Sequence, residues 1–398
     1  MKRFVVVGGG LAAHQAARSI FEMSADAYVT IVGAEEQPAY DRPHLSKAFL
    51  AASDVEPSYL PVSWNESNTR VTTMFGSSVV EINRRDSHVL LISGRTIAYD
   101  KLIVATGSRV RKLGDDVVQA PVHYLRTLDD ATAIRNRLVD GADVVVVGGG
   151  FIGLEVAAAA RKRNCKVTVL EAQATLLART GSPVLSQWMH GLHVSQGVTI
   201  HLNANVRHIS HTSAGKIVLD TSAGLVVADV VVIGIGVLPN DELARDCGLR
   251  VDNGIVVDSR CATLDPNVFA AGEVTNYPIT HLGTRVRSES WMAASDQGGV
   301  AGRAAAGDTA AEYGEMPWLW SDQFNSNIQC LGVPQLAAKH STVGDCGADN
   351  WVLLGWDADD RLVNAIAVNR GKDVSAIRRA IKRGTPLPSQ YTAPRAVA

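Results

Sequence analysis

The sequence predicts an α/β protein with two separate parallel sheets and a smaller α+β domain at its end. Two apolar strands, at 4–7 and 144–147, each lead into a glycine turn and then an alanine-rich helix. This order is typical of parallel sheets covered by helices. From Trp318 onward the pattern changes to short alternating strands, such as those within 351–369, with one basic helix. That alternation predicts a small α+β domain with a half-exposed sheet.

Length and composition limit the possible classes. The chain has 398 residues, of which 46% are hydrophobic and 20% are charged, and its formal net charge is −2. We therefore expect about two to three globular domains and no global field that could hold nucleic acid or an anionic membrane. Because no apolar run reaches the ~18 residues of a membrane span, and a strand follows Met1 almost at once, we expect a cytoplasmic protein.

The first glycine turn has the features of a phosphate-binding loop. Gly8 permits the tight turn, and Gly10 lets the backbone approach a pyrophosphate. The helix start at Leu11, Ala12 and Ala13 directs N–H groups towards the phosphates, and Ala13 still allows close packing of helix on strand. Glu35 follows the next strand, 28–32, where an acid can bind a ribose diol. A glycine turn without a ligand is the alternative.

The second turn fills all three glycine positions, Gly148, Gly150 and Gly153, with Phe151 and Ile152 at the helix start. Glu171 ends the following strand, and its carboxylate repels a 2′-phosphate, which favours NAD over NADP. Arg179 lies eight residues further on and could reach the adenosine side, so NADP stays open. Another apolar strand, within 229–240, ends in a glycine turn at Gly236.

Two such turns predict two Rossmann-like dinucleotide-binding domains and two dinucleotides. A flavin with a nicotinamide is the useful pair, since NADH gives up two electrons together and a flavin can release them singly. The simplest division of the chain is nested. Residues 1–112 and 240–310 would form an FAD-binding domain, 113–239 an NAD-binding domain and 311–398 the α+β domain. The stretch 285–307 is predicted to be helical and to follow the strand 268–274.

Several motifs in this order resemble one family. They are YDRPHLSK (40–47), ATGS (105–108), YLRTLDDA (124–131), GFIGLE (150–155), FAAGEV (269–274) and PWLWSDQ (317–323). Together they are similar to the flavin-dependent ferredoxin reductases of oxygenase systems, the family of putidaredoxin reductase, rubredoxin reductase and the dioxygenase reductases. The resemblance covers nearly the whole chain and implies a glutathione-reductase-like fold with FAD and NADH as cofactors.

The resemblance also implies roles for individual residues. Besides the turn residues and Glu35, those implied to contact FAD are Arg42, Lys47, Ala105, Thr106, Gly107, Arg126, Gly272, Glu273, Glu289, Ser290, Trp291 and Trp320. The residues predicted for NAD are those of the second turn with Glu171, Arg179 and Gly236, and the resemblance adds Glu155. Glu273 stands where the family usually has aspartate, so its longer side chain requires an adjustment or weakens FAD binding.

Lys47 and Glu155 are the predicted catalytic residues. The resemblance implies a buried ion pair beside the flavin, in which the lysine stabilises negative charge on the reduced ring. A purely structural salt bridge is the alternative. The implied partner is an acidic [2Fe-2S] ferredoxin, with Trp320 as a candidate exit for electrons or else a packing residue. The basic helix that includes Arg378–Arg383 is a candidate docking surface, or simply a solvated face.

Other functions are weighed against this one. A disulfide reductase needs a cysteine near the flavin, yet no cysteine precedes Cys165 in the sequence. A rubredoxin or small-acceptor reductase stays open, and a non-enzymatic NADH sensor is a further alternative. We predict no metal site. His190, His193, His201, His208 and His211 have no matching acidic or cysteine ligands and are expected to be surface histidines.

Overall fold

The structure, a computed structural model, describes residues 1–24, 26–61, 70–213 and 215–391. The strands of the first half are β1 (Arg3–Val7), β2 (Tyr28–Val32), β3 (Val71–Met74), β4 (Val79–Asn83), β5 (His88–Leu91), β6 (Thr96–Ala98), β7 (Lys101–Val104), β8 (Ser108–Val110), β9 (His123–Tyr124), β10 (Asp143–Val147), β11 (Lys166–Leu170) and β12 (Val198–His201).

The later strands are β13 (Val206–His211), β14 (Ile217–Thr221), β15 (Gly224–Ala228), β16 (Val230–Ile233), β17 (Val237–Pro239), β18 (Ile255–Val256), β19 (Val268–Ala270), β20 (Thr275–Ile279), β21 (Thr284–Arg287), β22 (Trp318–Gln323), β23 (Ser326–Gly332), β24 (Lys339–Val343), β25 (Trp351–Trp356) and β26 (Leu362–Val368). The α-helices are α1 (Leu11–Met23), α2 (Leu128–Arg137), α3 (Phe151–Lys162), α4 (Pro183–Ser195), α5 (Glu242–Asp246), α6 (Trp291–Ala306) and α7 (Gly371–Arg383).

The chain divides into two compact units, each assembled from separate segments. The first unit contains Met1–Asp41, Ser58–Arg109 and Leu238–Leu319. The second contains Arg42–Pro57, Val110–Val237 and Trp320–Ala398. The short segment Arg42–Pro57 includes a 3-10 turn at Arg42–His44 and a π-helical turn at Leu45–Phe49.

The first unit is built on a parallel sheet with the order β19-β7-β1-β2-β3. Phe4–Val7 of β1 is buried at every position, as expected for a central parallel strand. Helices α1 and α6 pack together closely because α6 carries glycines at the contact. A Cβ built on Gly298 or Gly302 would lie 2.4 Å from the carbonyl oxygen of Ala12 or Ala16, respectively.

One predicted helix begins later than the sequence indicated. The prediction of helix from residue 285 is wrong, because β21 pairs antiparallel with β20 over Asn276–Ile279. Helix α6 begins only at Trp291, after Ser290 caps it by accepting a hydrogen bond from the N–H of Ala293. Pairing with the preceding strand therefore outweighs the helical tendency of the sequence over Arg285–Arg287.

The second unit contains a second parallel sheet, with the order β12-β11-β10-β16-β9. The antiparallel sheet β13-β14-β15 packs its apolar side chains, including Ile209 and Leu219, into the same core as Val145 and Leu170. The register of β10 against β11 joins Val147 to Leu170. The glycine turn and the acid-bearing end of β11 therefore meet at one edge of the sheet.

The last sheet has the order β22-β23-β26-β25-β24 and carries α7 against β23 and β26. The prediction of a half-exposed sheet is wrong for its central strands, since Trp351–Trp356 and Leu362–Val368 are buried at every position. Residues of α7 such as Val374 are buried, and Trp188 of α4 packs edge-on against Trp351 with ring centroids 6.4 Å apart. Trp188 is more than 160 residues from Trp351 in the sequence, so its contribution to this burial has no local signal.

A search of the described ranges for membrane-crossing segments gave no helix with both the length and the apolar character that a bilayer requires.

Candidate functional site

The first glycine turn follows β1 in the first unit. Gly8 has a φ of +140°, and a Cβ built on it would lie 2.1 Å from the carbonyl oxygen of Ala105. Gly10 is the N-cap of α1, and among the described residues no side chain caps this end. The first N–H groups of a helix have no partner within it, so those of Leu11–Ala13 can bind an anion.

The acid of the first unit stands at the end of β2. Glu35 is half-buried, and its Oε2 accepts a hydrogen bond of 2.5 Å from the hydroxyl of Tyr40. Gly33 brings this strand end close to the turn, since a Cβ on it would lie 3.1 Å from the Cα of Gly9. The carboxylate is thus held beside the first glycine turn, where a ribose diol would follow a pyrophosphate bound at that turn.

The end of β7 forms a second wall of the same turn. Thr106 Oγ1 donates a hydrogen bond of 2.7 Å to the carbonyl oxygen of Asn240, and Asn240 Nδ2 donates one of 2.9 Å to the carbonyl oxygen of Thr106. Gly107 follows with a φ of +65°. These reciprocal bonds fix the backbone around Ala105, the residue that contacts Gly8 most closely.

Gly272 and Glu273 follow β19 in the same unit. Gly272 has a φ of +84°, and its N–H donates to Oε1 of the buried Gln297 at 2.9 Å. Glu273 Oε2 accepts a hydrogen bond of 2.5 Å from the hydroxyl of Ser108. Ser108 is buried. The longer acid is therefore tied to a buried serine that directly follows the ATG sequence.

The start of α6 contains three further residues predicted to contact FAD. Ser290 is buried and caps the helix through its hydroxyl. Glu289 Oε1 accepts a hydrogen bond of 2.6 Å from the guanidinium of Arg287, whose side chain is 8% exposed. Trp291 is the first residue of the helix and is half-buried.

The second glycine turn, in the second unit, repeats the construction of the first. Gly148 has a φ of +110°, and its Cβ would lie 2.4 Å from the carbonyl oxygen of Gly234. A Cβ on Gly153 would lie 2.2 Å from the carbonyl oxygen of Gly148. A Cβ on Gly150, the N-cap of α3, would meet no atom of the described residues within 4 Å. Backbone atoms therefore crowd this turn on the side of the sheet, whereas the space at the start of α3 is open.

The acid of the second unit binds its own turn. Glu171 Oε2 accepts a hydrogen bond of 2.6 Å from the N–H of Gly149, and its Oε1 accepts one of 2.7 Å from the N–H of Gln173. Arg179 lies eight positions further on and is exposed. Gly236 has a φ of +99°, and a Cβ on it would meet no described atom within 4 Å. Ile152 is 47% exposed beside the turn.

Glu155 lies on α3, one helical turn beyond Phe151, and is 3% exposed. The predicted ion pair is present, with Lys47 Nζ 2.6 Å from Glu155 Oε1. The hydroxyls of Ser46 and Ser321 also donate to this carboxylate, the first to Oε2 and the second to Oε1. A buried carboxylate with several donors is a centre where charge is held in a fixed place.

The remaining predicted residues of the second unit lie on different segments. Arg42 Nη1 donates a hydrogen bond of 2.7 Å to the carbonyl oxygen of Arg126. This bond ties the segment Arg42–Pro57 to the capping box of α2, in which Thr127 and Asp130 exchange hydrogen bonds. Trp320 is half-buried on β22, next to Ser321.

Comparison with known proteins decides the family. Residues 2–298 match the family described as pyridine nucleotide-disulphide oxidoreductase, and residues 318–398 match the one described as reductase C-terminal. The chain belongs to the pyridine nucleotide-disulphide oxidoreductase family. It is an oxidoreductase that depends on FAD and uses NAD(H).

Individual members of the family are similar over nearly the whole length. The anthranilate 1,2-dioxygenase system ferredoxin–NAD(+) reductase component of Burkholderia cepacia is 45% identical over 98% of this chain and 97% of its own. Rhodocoxin reductase of Rhodococcus erythropolis is 38% identical over 98% and 91%. The predicted resemblance is confirmed by these relatives.

Solved structures of the family agree with the predicted fold. Putidaredoxin reductase, in its covalent complex with putidaredoxin, has a TM-score of 0.89 at 31% identity and covers 96% of this chain and 93% of its own. The ferredoxin reductase for the CYP199A2 system from Rhodopseudomonas palustris has a TM-score of 0.90 at 30% identity, covering 100% and 98%. The predicted fold class is confirmed.

The residues of this pyridine nucleotide-disulphide oxidoreductase fit both cofactors. A dinucleotide needs bare N–H groups for its pyrophosphate and an acid for a ribose diol. The first unit supplies the start of α1 with Glu35, and the second supplies the start of α3 with Glu171. The clashes that a Cβ on Gly8 or Gly148 would make show that each turn is shaped by glycine.

Sequence reasoning missed several polar residues around Glu155. Ser46, Ser321 and Gln323 were not assigned roles, and His193 was expected at the surface. That expectation is wrong, because His193 is 0% exposed and its Nε2 lies 2.6 Å from Gln323 Oε1. The available signal was the alternation of polar Ser321 and Gln323 in a strand, which places both on one face. A search of the described residues for three or more clustered metal ligands gave none.

Proposed function

We propose that this chain is an NADH-dependent flavoprotein reductase that passes electrons from NADH through FAD to a [2Fe-2S] ferredoxin serving an oxygenase. The oxygenase is a P450 or a ring-hydroxylating dioxygenase. The observation that carries this proposal is similarity, over nearly the full length of both chains, to reductases named for ferredoxins and dioxygenase systems. The alternative acceptors are rubredoxin and other small carriers.

The thiols of the chain argue against a disulfide-reducing member of the family. All five cysteines are free. Burial raises the pKa of the Cys165, Cys247, Cys261 and Cys346 thiols, and it raises the pKa of Cys330 to about 12. Because the thiolate is the nucleophile, these groups are poorly suited to attack a disulfide. Free thiols also fit the reducing cytoplasm, which is the location we propose.

We propose that the chain's residues divide into three domains. The proposed FAD-binding domain is 1–112 with 240–310, the proposed NAD-binding domain is 113–239, and the proposed C-terminal domain is 311–398. In the FAD-binding domain, Gly8, Gly10 and the start of α1 are proposed to hold the pyrophosphate, and Glu35 a ribose. The other residues of the first unit that were assigned to FAD from the sequence are proposed to complete that site, among them Glu273 and the start of α6.

For NADH, the start of α3 is proposed to bind the pyrophosphate and Glu171 the adenosine ribose. FAD, when bound, supplies the conversion of a two-electron donor into single electrons. The protein contributes placement and electrostatics. Lys47 holds a positive charge at a fixed point, because its ammonium is bound to a carboxylate whose side chain is 2% exposed. We propose that this charge stabilises negative charge that develops on the reduced ring.

Ferredoxin is proposed to dock near Trp320 and the basic helix α7. Its cationic residues and their neighbours are Arg370, Lys372, Arg378, Arg379, Lys382 and Arg383. The acid on this helix, Asp373, is engaged by Arg370 at 2.6 Å and by the hydroxyl of Tyr391. Because Arg379, Lys382 and Arg383 are exposed, this face can attract an acidic partner.

Cytochrome c reduction by NADH tests the acceptor. With a [2Fe-2S] ferredoxin present, the rate is expected to exceed the ferredoxin-free rate by about tenfold or more, because the small carrier shuttles single electrons. Rubredoxin and an aromatic disulfide serve as competing acceptors in parallel assays. Faster turnover with rubredoxin would favour that alternative acceptor over a ferredoxin. Turnover of the disulfide alone would contradict the proposed function.

Salt dependence tests the docking surface separately. Ferredoxin reduction should accelerate as ionic strength falls, and Arg379→Ala with Arg383→Ala should flatten that slope. Arg95→Ala, an exposed arginine of the first unit, is the matched control and should leave the slope unchanged. A rate that is flat across salt in the unaltered protein excludes α7 as the steering surface.

A further inference from the structure

A chain of buried hydrogen bonds joins Glu155 to a histidine on another helix. His193 Nε2 lies 2.6 Å from Gln323 Oε1, Gln323 Nε2 lies 3.1 Å from Ser321 Oγ, and Ser321 Oγ bonds Glu155 Oε1. Ser321, Gln323 and His193 are each 0% exposed. Four polar side chains from α3, β22 and α4 therefore form one continuous buried path.

The direction of each bond in this chain is fixed by its chemistry. Gln323 Oε1 can only accept, so His193 Nε2 must carry the hydrogen. Gln323 Nε2 can only donate, so Ser321 Oγ accepts from it and must spend its single hydrogen on Glu155. Lys47 Nζ also donates to this carboxylate. All donors point towards Glu155, which is satisfied as an ionised acceptor.

The state of His193 suits this arrangement. Burial lowers the pKa of His193 to about 4, so the ring is neutral near pH 7. Its Nδ1 has no hydrogen-bond partner among the described residues, which is consistent with the bare nitrogen of the Nε2–H tautomer. The edge of the ring packs against Phe324 with centroids 5.0 Å apart, which holds its orientation.

Burying such groups is costly unless each is satisfied, and apolar residues would give an equally compact core. A packing role alone thus leaves the alignment of donors on Glu155 without an explanation. Gln323 Nε2 also lies 3.5 Å from the carbonyl oxygen of Phe151, the first residue of α3. The amide therefore contacts both the helix that follows the second glycine turn and the serine that binds Glu155.

We propose that Gln323 and His193 are positioning residues for the oxidoreductase reaction, fixing through Ser321 the orientation of the Glu155 carboxylate and hence of the Lys47 ammonium. This inference rests on the proposed role of the Lys47–Glu155 pair. His193 orients the amide, the amide orients the Ser321 hydroxyl, and the hydroxyl fixes one carboxylate oxygen. Neither Gln323 nor His193 is proposed to touch NADH or FAD.

A double-mutant cycle on the holoenzyme tests whether these residues act through Glu155. Flavin reduction at saturating NADH is followed by stopped flow for Gln323→Leu, Ser321→Ala, Glu155→Gln and the two combinations with Glu155→Gln. Gln323→Leu and Ser321→Ala should each slow reduction by about tenfold alone, yet by less than about twofold in the Glu155→Gln background. Ser326→Ala removes another buried serine, on β23, and is the control expected to keep the normal rate.

The outcomes separate this inference from the proposed function. If Glu155→Gln slows reduction while Gln323→Leu and Ser321→Ala do not, the positioning role alone is overturned. Slowing by the same factor in both backgrounds also overturns it, since that indicates a structural effect independent of Glu155. If Glu155→Gln itself reduces flavin at the normal rate, the proposed role of the ion pair fails and takes this inference with it.

A second variant and a spectroscopic readout cover the case in which Gln323→Leu does not fold. Gln323→Glu keeps the shape, but an ionised carboxylate at pH 8 accepts from Ser321 and should slow reduction as Ser321→Ala does. Independently of turnover, the ¹⁵N shifts of His193 should report the Nε2–H tautomer and change in Gln323→Glu and Gln323→Leu. A ring that is protonated on Nδ1 in the unaltered protein contradicts the proposed bond directions.

Discussion

The two glycine turns are made by the same device, yet their surroundings differ. In the first unit, the helix after the turn is pressed against α6, where a Cβ on Gly298 would lie 2.4 Å from the backbone of Ala12. In the second unit, a Cβ on Gly150 or Gly236 would meet no described atom within 4 Å. The helix after the first turn is therefore packed closely against a second helix, as suits the proposed binding of a cofactor that stays bound. The second turn is open at the start of its helix and at Gly236, as suits the proposed binding of a nucleotide that exchanges.

The acids beside the two turns are also held by different groups. Glu35 is held by the side chain of Tyr40, five residues further along the same loop after β2. Glu171 is held by backbone N–H groups, including that of Gly149 in its own turn. The second acid is therefore oriented by the turn itself, so the proposed phosphate and ribose positions of the nucleotide would be preorganised together.

The largest expected effect contrasts Gly8→Ala with Gly150→Ala. A methyl group on Gly8 meets a carbonyl oxygen at 2.1 Å and imposes a φ of +140° on alanine, so a loss of about 3–5 kcal/mol in the free energy of unfolding is expected. Gly150 has a φ of −79° and open space, so its alanine variant should lose less than about 1 kcal/mol. Urea unfolding of both holoproteins measures this difference.

Cofactor content gives the same contrast a second readout. Gly8→Ala should be purified with little flavin, whereas Gly150→Ala should keep its flavin and bind NAD⁺ about tenfold more weakly, since the methyl group stands where a phosphate approaches. Full flavin content in Gly8→Ala, or unchanged NAD⁺ affinity in Gly150→Ala, contradicts the difference drawn between the two turns.

A smaller effect concerns the buried histidines of the two units. His193 has a pKa of about 4 in the folded protein against 6.5 when unfolded. The unfolded chain therefore binds its proton first as the pH falls, and the free energy of unfolding should decrease between pH 6.5 and 4 by up to about 3 kcal/mol. Burial also lowers the pKa of His14 in the first unit. His193→Gln keeps the hydrogen-bond donor and should flatten this pH dependence more than His14→Gln does.

Urea titrations at half-unit pH intervals check this prediction. If His193→Gln and the unaltered protein show the same slope, folding does not lower the pKa of His193, and the neutral ring assigned to the buried chain is wrong.

Features with a local signal could be predicted from the sequence, and features that depend on remote contacts could not. Both glycine turns and the strands 28–32 and 166–170 have local signals, and those strands have the predicted bounds. The buried path from Glu155 to His193 depends on Gln323, which lies 130 positions from His193 in the sequence, and no local pattern reports such a contact. The prediction that 351–356 is half-exposed failed for the same reason, since the covering residue Trp188 is remote in sequence.

Lys47→Ala tests the proposed role of the Lys47–Glu155 ion pair in the second unit. The variant removes the ammonium 2.6 Å from Glu155, so flavin reduction by NADH should slow by about tenfold or more. Two serine hydroxyls still bind the carboxylate, so the fold and the bound flavin should be kept. Rapid-mixing kinetics on the flavin-loaded variant make the measurement. An unchanged reduction rate assigns the ion pair a structural role only.

Substitution of Glu171 and of Glu35 tests which unit selects NADH over NADPH. Glu171→Gln removes the charge that is proposed to repel a 2′-phosphate, so the ratio of kcat/KM for NADH over NADPH should fall by about tenfold. Glu35→Gln, the equivalent change in the first unit, should leave that ratio unaltered. Steady-state kinetics with both nucleotides decide the point. A selectivity that follows Glu35 instead would exchange the roles of the two units.

The smallest expected effect belongs to the bond between Ser108 and Glu273. The hydroxyl donates to Oε2 at 2.5 Å from a buried position, so it restrains an acid that is one methylene longer than the usual aspartate. Ser108→Ala frees that carboxylate and should weaken FAD binding by about fivefold, which titration of the apoprotein with FAD measures. In Glu273→Asp the shorter acid has less need of the serine, so adding Ser108→Ala to it should change the affinity less. Equal losses in both backgrounds indicate that Ser108 supports the strand rather than the acid.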